Sequence, residues 1–239
     1  MELIVDNPNY TYTINITDIR NISNQSSVGK VPDPPLYLYI YVTLMCAFIF
    51  FVGVIGNILV VQAVIRIRSM RRRMNYFLVC LSVADLLVLL IALPSGLQEF
   101  YGKERWHIGD PMCKVVVFSE NAAHHCSVLT LLAIGFERYH AICYPMGETC
   151  VARLSSESIL IPMVWILSCV ATLPFAIFYG TEVRTYMDGT LADFCTVKGI
   201  SSEMHTAYII FIFTVLFALP LVLLTIMYTA ISLTIATST

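Results

Sequence analysis

Charge is what this sequence has least of. Asp, Glu, Lys and Arg make up 13% of its 239 residues, where a soluble globular chain carries about 25%. The shortage is local. Leu36–Ile65, Ser158–Gly180 and His205–Thr239 contain none of the four. Each exceeds the roughly 20 apolar residues that cross the hydrocarbon core of a bilayer. Such a chain is not an ordinary soluble domain. Two more stretches, Tyr76–Tyr101 and Pro111–Cys143, are long enough but carry isolated charges. The reading is an all-α membrane protein with five transmembrane helices, because a helix satisfies its own backbone groups in lipid.

Other absences narrow the function. No internal repeat is found, so the inverted-repeat signature of transporters is missing. The first 35 residues lack the basic start and apolar core of a signal peptide, so the first span is expected to serve as its own signal-anchor. No Ser–His–Asp or paired-carboxylate arrangement points to an enzyme. Glu120 with His124, and Asn121 with His125, are i, i+4 neighbours on a helix. Without a third ligand they make a weak zinc site and a better lining for a hydrogen-bonded pocket.

The charges that are present set a topology. Five of the 14 basic residues fall between Arg66 and Arg73, in the first loop. Short loops rich in Lys and Arg stay cytoplasmic, so the N-terminus is expected outside. Residues 1–35 then form an extracellular tail, short and expected to be disordered, and residues 36–239 the membrane domain. Four N-glycosylation sequons begin at Asn9, Asn15, Asn21 and Asn24 in that tail, on the side the arginines exclude.

On this topology Cys113 and Cys195 both face the oxidising side, and a disulfide between them is expected. The remaining cysteines (46, 80, 126, 143, 150 and 169) read as small apolar side chains, with Cys143 and Cys150 as candidates for palmitoylation. Pro94, Pro174 and Pro220 fall inside spans, where neighbouring helices can satisfy the freed carbonyls. In the outer loop, Glu182–Met187 and Thr190–Cys195 flank Asp188-Gly189. That dipeptide between extended segments predicts a two-residue β-hairpin over the outer mouth; an irregular loop is the alternative.

A series of motifs then resembles the rhodopsin-like family of G-protein-coupled receptors. Gly56-Asn57 lies in the first span and Leu81-Ser82-Val83-Ala84-Asp85-Leu86 in the second. Trp106-His107-Ile108-Gly109 precedes Cys113, Glu137-Arg138-Tyr139 closes the third span, and Pro145-Met146 follows it. Trp165 marks the fourth span; Phe217, Pro220 and Tyr228 mark the fifth. The stretch Trp106–Pro145 looks most like the branch holding receptors for ghrelin, neuromedin U and thyrotropin-releasing hormone.

The resemblance implies roles. Asp85 and Ser127 would be two ligands of a sodium ion that favours the inactive state, although Ala123 stands where many relatives have Asn. The competing reading is Asp85 hydrogen-bonded to Asn57 and water. Arg138, restrained by Glu137 at rest, would swing to meet a heterotrimeric G protein with Tyr228 supporting it; Tyr139 and Pro145 belong to the same coupling region. Met146 would be a hydrophobic plug into the G protein or an ordinary interfacial residue. Glu120 would be the ligand's counter-charge, with Gln98, Glu99, Asn121 and His124 around it. Glu rather than Asp at this position, and no hydroxyl cluster at Ile210–Phe213, argue against an amine. A peptide with a basic group fits better.

The expected partners are therefore an extracellular peptide, a G protein and the lipid bilayer, with receptor dimerisation and no nucleic acid. The resemblance implies seven helices, of which five are in this sequence. It is expected to be a fragment, silent alone, or a truncated isoform that pairs with a full-length receptor. A transporter or channel is the remaining alternative.

Overall fold

The computed structural model describes residues 2–7, 10–15, 33–144, 157–186 and 189–238. Five helices are long and apolar enough to cross a membrane: Leu36–Arg66, Met74–Gly102, Asp110–Cys143, Ile159–Phe178 and Ser202–Thr237. These first to fifth spans match the charge-free runs, with local corrections at their ends. The fourth helix stops at Phe178, because Tyr179 and Gly180 open a strand. The fifth begins earlier than its uncharged run. Ser201 caps it by accepting from the Met204 N–H at 3.3 Å, and Glu203 sits in its first turn. A hydroxyl cap and an early carboxylate both satisfy a helix N-terminus.

Two of the prolines are accommodated by the helices themselves. A π turn covers Val88–Ala92 just before Pro94, and another covers Thr214–Ala218 just before Pro220. Proline has no N–H and its ring crowds the carbonyl four residues back. One wider turn relieves both problems, so neighbouring helices are not required to do so.

The third span is the axis of the bundle and packs against the second, fourth and fifth; the first packs on the second. Small and hydroxylated residues make these contacts, as close packing in lipid requires. Ala84, Cys126, Thr130, Ser168 and Thr172 are fully buried. The Ser168 and Thr172 hydroxyls donate to the carbonyls of Val164 and Ser168, both at 2.8 Å, so neither is stranded in an apolar interior. Cys80 and Cys126 lie in a core with Ala84 and Val164, against which Leu129, Ile161 and Trp165 pack. Cys150 lies outside the described residues. Leu44, Phe48, Phe51 and Ile55 of the first span are exposed, which suits a helix whose solvent is lipid.

Two hairpins complete the fold. In the tail, β1 (Glu2–Asn7) pairs antiparallel with β2 (Tyr10–Asn15), Glu2 opposite Asn15 and Asn7 opposite Tyr10. Within the tail expected to be disordered, these twelve residues are paired strands. Ile4, Val5, Thr11, Thr13 and Ile14 are β-branched and favour strands. Asn15 is the last residue of β2; the sequons at Asn9, Asn21 and Asn24 lie outside the described residues.

The second hairpin joins β3 (Tyr179–Thr185) to β4 (Leu191–Val197), with Thr181 opposite Cys195 and Thr185 opposite Leu191. The hairpin is the expected one, but its register differs by one residue. Tyr186 N–H donates to the Thr190 carbonyl at 2.7 Å, and Gly189 has φ +80°. Three residues, not two, separate these partners, and a glycine in the third position fits a three-residue connection.

Candidate functional site

The disulfide Cys113–Cys195 ties β4 to the start of the third span, with Cα atoms 5.6 Å apart. Around it Trp106, Cys113 and Val116 form a buried cluster against which Ile91, Tyr179 and Cys195 pack. Trp106 makes two further ties. Its backbone N–H donates to the Asp193 carbonyl at 2.7 Å, and its indole N–H to the Gly109 carbonyl at 2.8 Å. The motif Trp106–Gly109 is thus the hinge pin of the hairpin. Gly109, with φ +87°, sits where the chain turns into the third span, and Pro111 follows within the first turn.

Asp110 adds a polar latch that the sequence did not announce. Its Oδ1 accepts from the Thr181 backbone N–H at 2.7 Å and from the Thr181 hydroxyl at 3.3 Å. Lys114 and Lys198 approach the same carboxylate at 3.5 and 3.8 Å. Only Lys114, at i+4, is a partner that spacing could have found. Elsewhere in this region Arg105 stacks over the Tyr186 ring at 4.1 Å. Lys103 pairs with Asp33; that hydrogen bond holds the ammonium above its ordinary value, against the opposing effect of burial. Burial raises the Tyr179 phenol above its ordinary value.

The expected ligand residues sort into two groups. Glu99 of the second span and Glu120 of the third are close enough for their carboxylates to interact electrostatically. His124 is exposed on the same face, its Nδ1 2.9 Å from the Glu120 carbonyl. Glu120 and His124, four residues apart, share one face of the third helix. Asn121 and Gln98 are engaged elsewhere. The Asn121 amide donates to the Val117 carbonyl of its own helix at 2.8 Å, and the Gln98 amide to the Arg105 carbonyl at 2.7 Å. Gln98 thus braces the loop carrying Trp106.

Midway along the bundle, the Ser127 hydroxyl donates to Asp85 Oδ1 at 3.1 Å, so these two residues meet across the second and third spans. Asn57 does not join them. Its amide donates to the Gly53 carbonyl of its own helix at 2.9 Å, which corrects the reading of an Asp85–Asn57 hydrogen bond. Ala123 is fully buried one turn before Ser127 and brings no side-chain oxygen.

At the far end Arg138 is exposed and Glu137 half-buried. No ion pair joins those two to one another among the described residues. Adjacent residues on a helix point about 100° apart, so a direct contact needs both side chains to bend. Tyr139 stacks edge-on against Tyr144 at 5.8 Å. Tyr228 approaches from the fifth span, and Gly135 lies beside it, one turn before Arg138. Cys143 meets Thr234 across the same two spans at 3.4 Å. Pro145 and Met146 lie outside the described residues.

A bundle of apolar spans, a disulfide-tethered hairpin over one end, a carboxylate inside it and an arginine at the other end define a multi-pass membrane receptor architecture. The family description 7 transmembrane receptor (rhodopsin family) matches residues 56–239, and the chain belongs to that family. It is 33% identical to the QRFP-like peptide receptor of Branchiostoma floridae over 181 residues, 75% of this chain and 47% of that protein. It is 30% identical to the growth hormone secretagogue receptor type 1 of Oryctolagus cuniculus over 199 residues, 82% of this chain and 54% of that one. The human receptor of the same name is 29% identical over the same length. The chain spans about half the length of these relatives. That family is one of receptors, not of enzymes.

Proposed function

We propose that the protein is a plasma-membrane receptor for a basic peptide, with its N-terminus outside and its Arg138 end turned to a heterotrimeric G protein. The observation that carries this reading is the disulfide-tethered hairpin, with Glu120 on the third span two turns beyond the bonded Cys113 and Glu99 near the end of the second span. Carboxylates carried on membrane spans are costly without a cationic partner. A basic group on the ligand supplies that cation, and His124 lends a polar wall. The 33% identity to a protein named as a peptide receptor supports the same ligand class.

The remaining site residues take roles consistent with it. Asp85 and Ser127 would hold a sodium ion. A carboxylate and a hydroxyl 3.1 Å apart are hard oxygen donors suited to it, and waters would fill the positions that Ala123 leaves. Bound there, the ion would favour the resting packing of the second and third spans. Arg138, with Glu137, Tyr139, Pro145, Met146 and Tyr228, would form the G-protein face, and ligand binding would bias it as a two-state element.

The test is ligand-stimulated nucleotide exchange on a G protein, read against a panel of basic peptides. Glu120→Gln is expected to lower the potency of an active peptide by roughly tenfold or more, as loss of a desolvated charge pair does. Unchanged potency would remove Glu120 from the binding site. A response confined to neutral or acidic peptides would overturn the ligand class.

A further inference from the structure

A thiol pair between the second and third spans takes no part in the roles above. Cys80 of the second span is 5% exposed and Cys126 of the third is fully buried, in one cluster with Ala84 and Val164. Neither belongs to a disulfide. Their side chains are hydrogen-bonded to each other. The Cys80 sulfur also lies 3.4 Å from the Thr130 hydroxyl, fully buried one turn beyond Cys126. Thiols pack as small apolar side chains, so packing alone does not call for two of them in contact. Short side chains line both helices here. Ala84 and Ala123 are fully buried in the same stretch, and Ser127, next to Cys126, reaches Asp85 at 3.1 Å. Small residues let helix backbones approach closely, as a disulfide requires, with its Cα atoms under about 7 Å apart.

We propose that Cys80 and Cys126 are an oxidisable pair that closes to a disulfide between the second and third spans, with a hydroperoxide as the oxidant. Hydrogen peroxide is small and uncharged, so it enters an apolar bundle that charged reductants do not. The Cys80 sulfur attacks one peroxide oxygen. The O–O bond breaks, an S–O bond forms, and the thiol proton leaves with the displaced hydroxide as water. The Cys126 sulfur then attacks the sulfenic sulfur. The S–O bond breaks, the S–S bond forms, and the second thiol proton leaves with that hydroxyl as water. Two thiols and one peroxide thus give one disulfide and two waters. The Thr130 hydroxyl, in reach of the Cys80 sulfur, passes the proton outward. Neutral groups are replaced by a neutral group, so no charge is left in the interior. Released from Cys80, the Thr130 hydroxyl turns to the Cys126 carbonyl four residues back. The bond lies one residue from Ser127 and fixes the spacing of the two spans at the Asp85–Ser127 pair.

The experiment uses the full chain in phosphatidylcholine nanodiscs. Hydrogen peroxide is raised until sulfenic acid is detected at Cys46, a half-buried thiol of the first span. The protein is then denatured, alkylated, digested and read by mass spectrometry. The expected product is a Cys80 peptide joined to a Cys126 peptide, two hydrogens lighter than their sum. A charged phosphine should open it after denaturation and not before. Oxidation is expected to raise the melting temperature of the unaltered chain, as a cross-link does. Cys80→Ser keeps a hydroxyl for Thr130, and Cys126→Ala keeps a small apolar side chain. Neither variant can cross-link, and neither should show the rise.

No joined peptide once Cys46 is oxidised would overturn the proposal, because peroxide would have reached the protein and missed the pair. Cys126 joined to Cys169 of the fourth span would overturn the choice of partners. A joined peptide that the phosphine opens in the folded protein would overturn the sheltered site. An equal melting rise in either variant would show that the bond does not brace the two spans.

Discussion

Asp110 Oδ1 accepts two hydrogen bonds from Thr181, a residue 71 positions further along the chain. This latch and the Cys113–Cys195 disulfide hold the same hairpin to the same helix start. One is polar and reversible, the other covalent. Gly180 is what lets the latch close. A Cβ at that position would lie 2.8 Å from Asp110 Oδ1 and 3.3 Å from Lys198 Nζ. Gly180→Ala is therefore expected to lower stability by about 1–3 kcal/mol, the usual cost of overpacking. Asp110→Ala should lose the latch as well, and the double variant should lose less than the sum. Thermal unfolding in detergent or nanodiscs measures all three; strict additivity would show that Gly180 and Asp110 act separately.

A second close approach joins the third and fifth spans. A Cβ at Gly135 would lie 2.7 Å from Leu224 Cδ2 and 3.3 Å from Met227 Cε. Gly135→Val should push the fifth span outward near Arg138 and destabilise by about 1–3 kcal/mol. Because Leu224 Cδ2 is the end of a flexible side chain, Gly135→Val with Leu224→Ala is expected to recover most of that loss. A melt showing no recovery would place the strain elsewhere.

The spans and the disulfide partners were legible in the sequence because they follow from local rules. A charge-free run of apolar residues has one stable form in lipid, and two cysteines on one side of the membrane have few alternatives. Asp85 and Ser127 were paired by resemblance, and the structure brings them to 3.1 Å. What the sequence hid depends on long-range geometry. Nothing local tells that Asp110 meets Thr181, or that the Asn57 and Asn121 amides turn back to their own helices. The hairpin register was missed by one residue because Asp-Gly suits a two-residue turn and the end of a three-residue one equally well. The strands at residues 2–7 and 10–15 were missed because the polar composition of the tail masked its β-branched residues.

Sodium provides a test of the Asp85–Ser127 pair that needs no ligand. Thermal stability of the purified protein should rise when sodium replaces a large organic cation at constant ionic strength. Asp85→Asn should abolish that dependence by removing the charge, and Ser127→Ala should weaken it. At a hundredfold excess of ion over its dissociation constant, binding stabilises by about 2.7 kcal/mol. Equal stabilisation of Asp85→Asn by sodium would move the effect to another site.

Glu99 and Glu120 give a prediction in which stability and binding part company. Partial burial of the Glu99 carboxylate comes first, and the like charges of Glu120 and Glu104 add to it, so the unliganded protein carries a cost at Glu99. Glu99 is solvent-exposed, so relief of that repulsion is small. Glu99→Gln should raise unliganded stability by about 0.5 kcal/mol, the scale of exposed charge pairs. The same change removes half of the charge that would receive a basic peptide, so affinity should fall although the fold is firmer. Stored repulsion of this kind is a common way for a binding site to trade stability for function. Melting without ligand and saturation binding on the same preparation decide it. A variant that loses stability and affinity together would mean Glu99 supports the fold, and the acidic pair would no longer explain ligand choice.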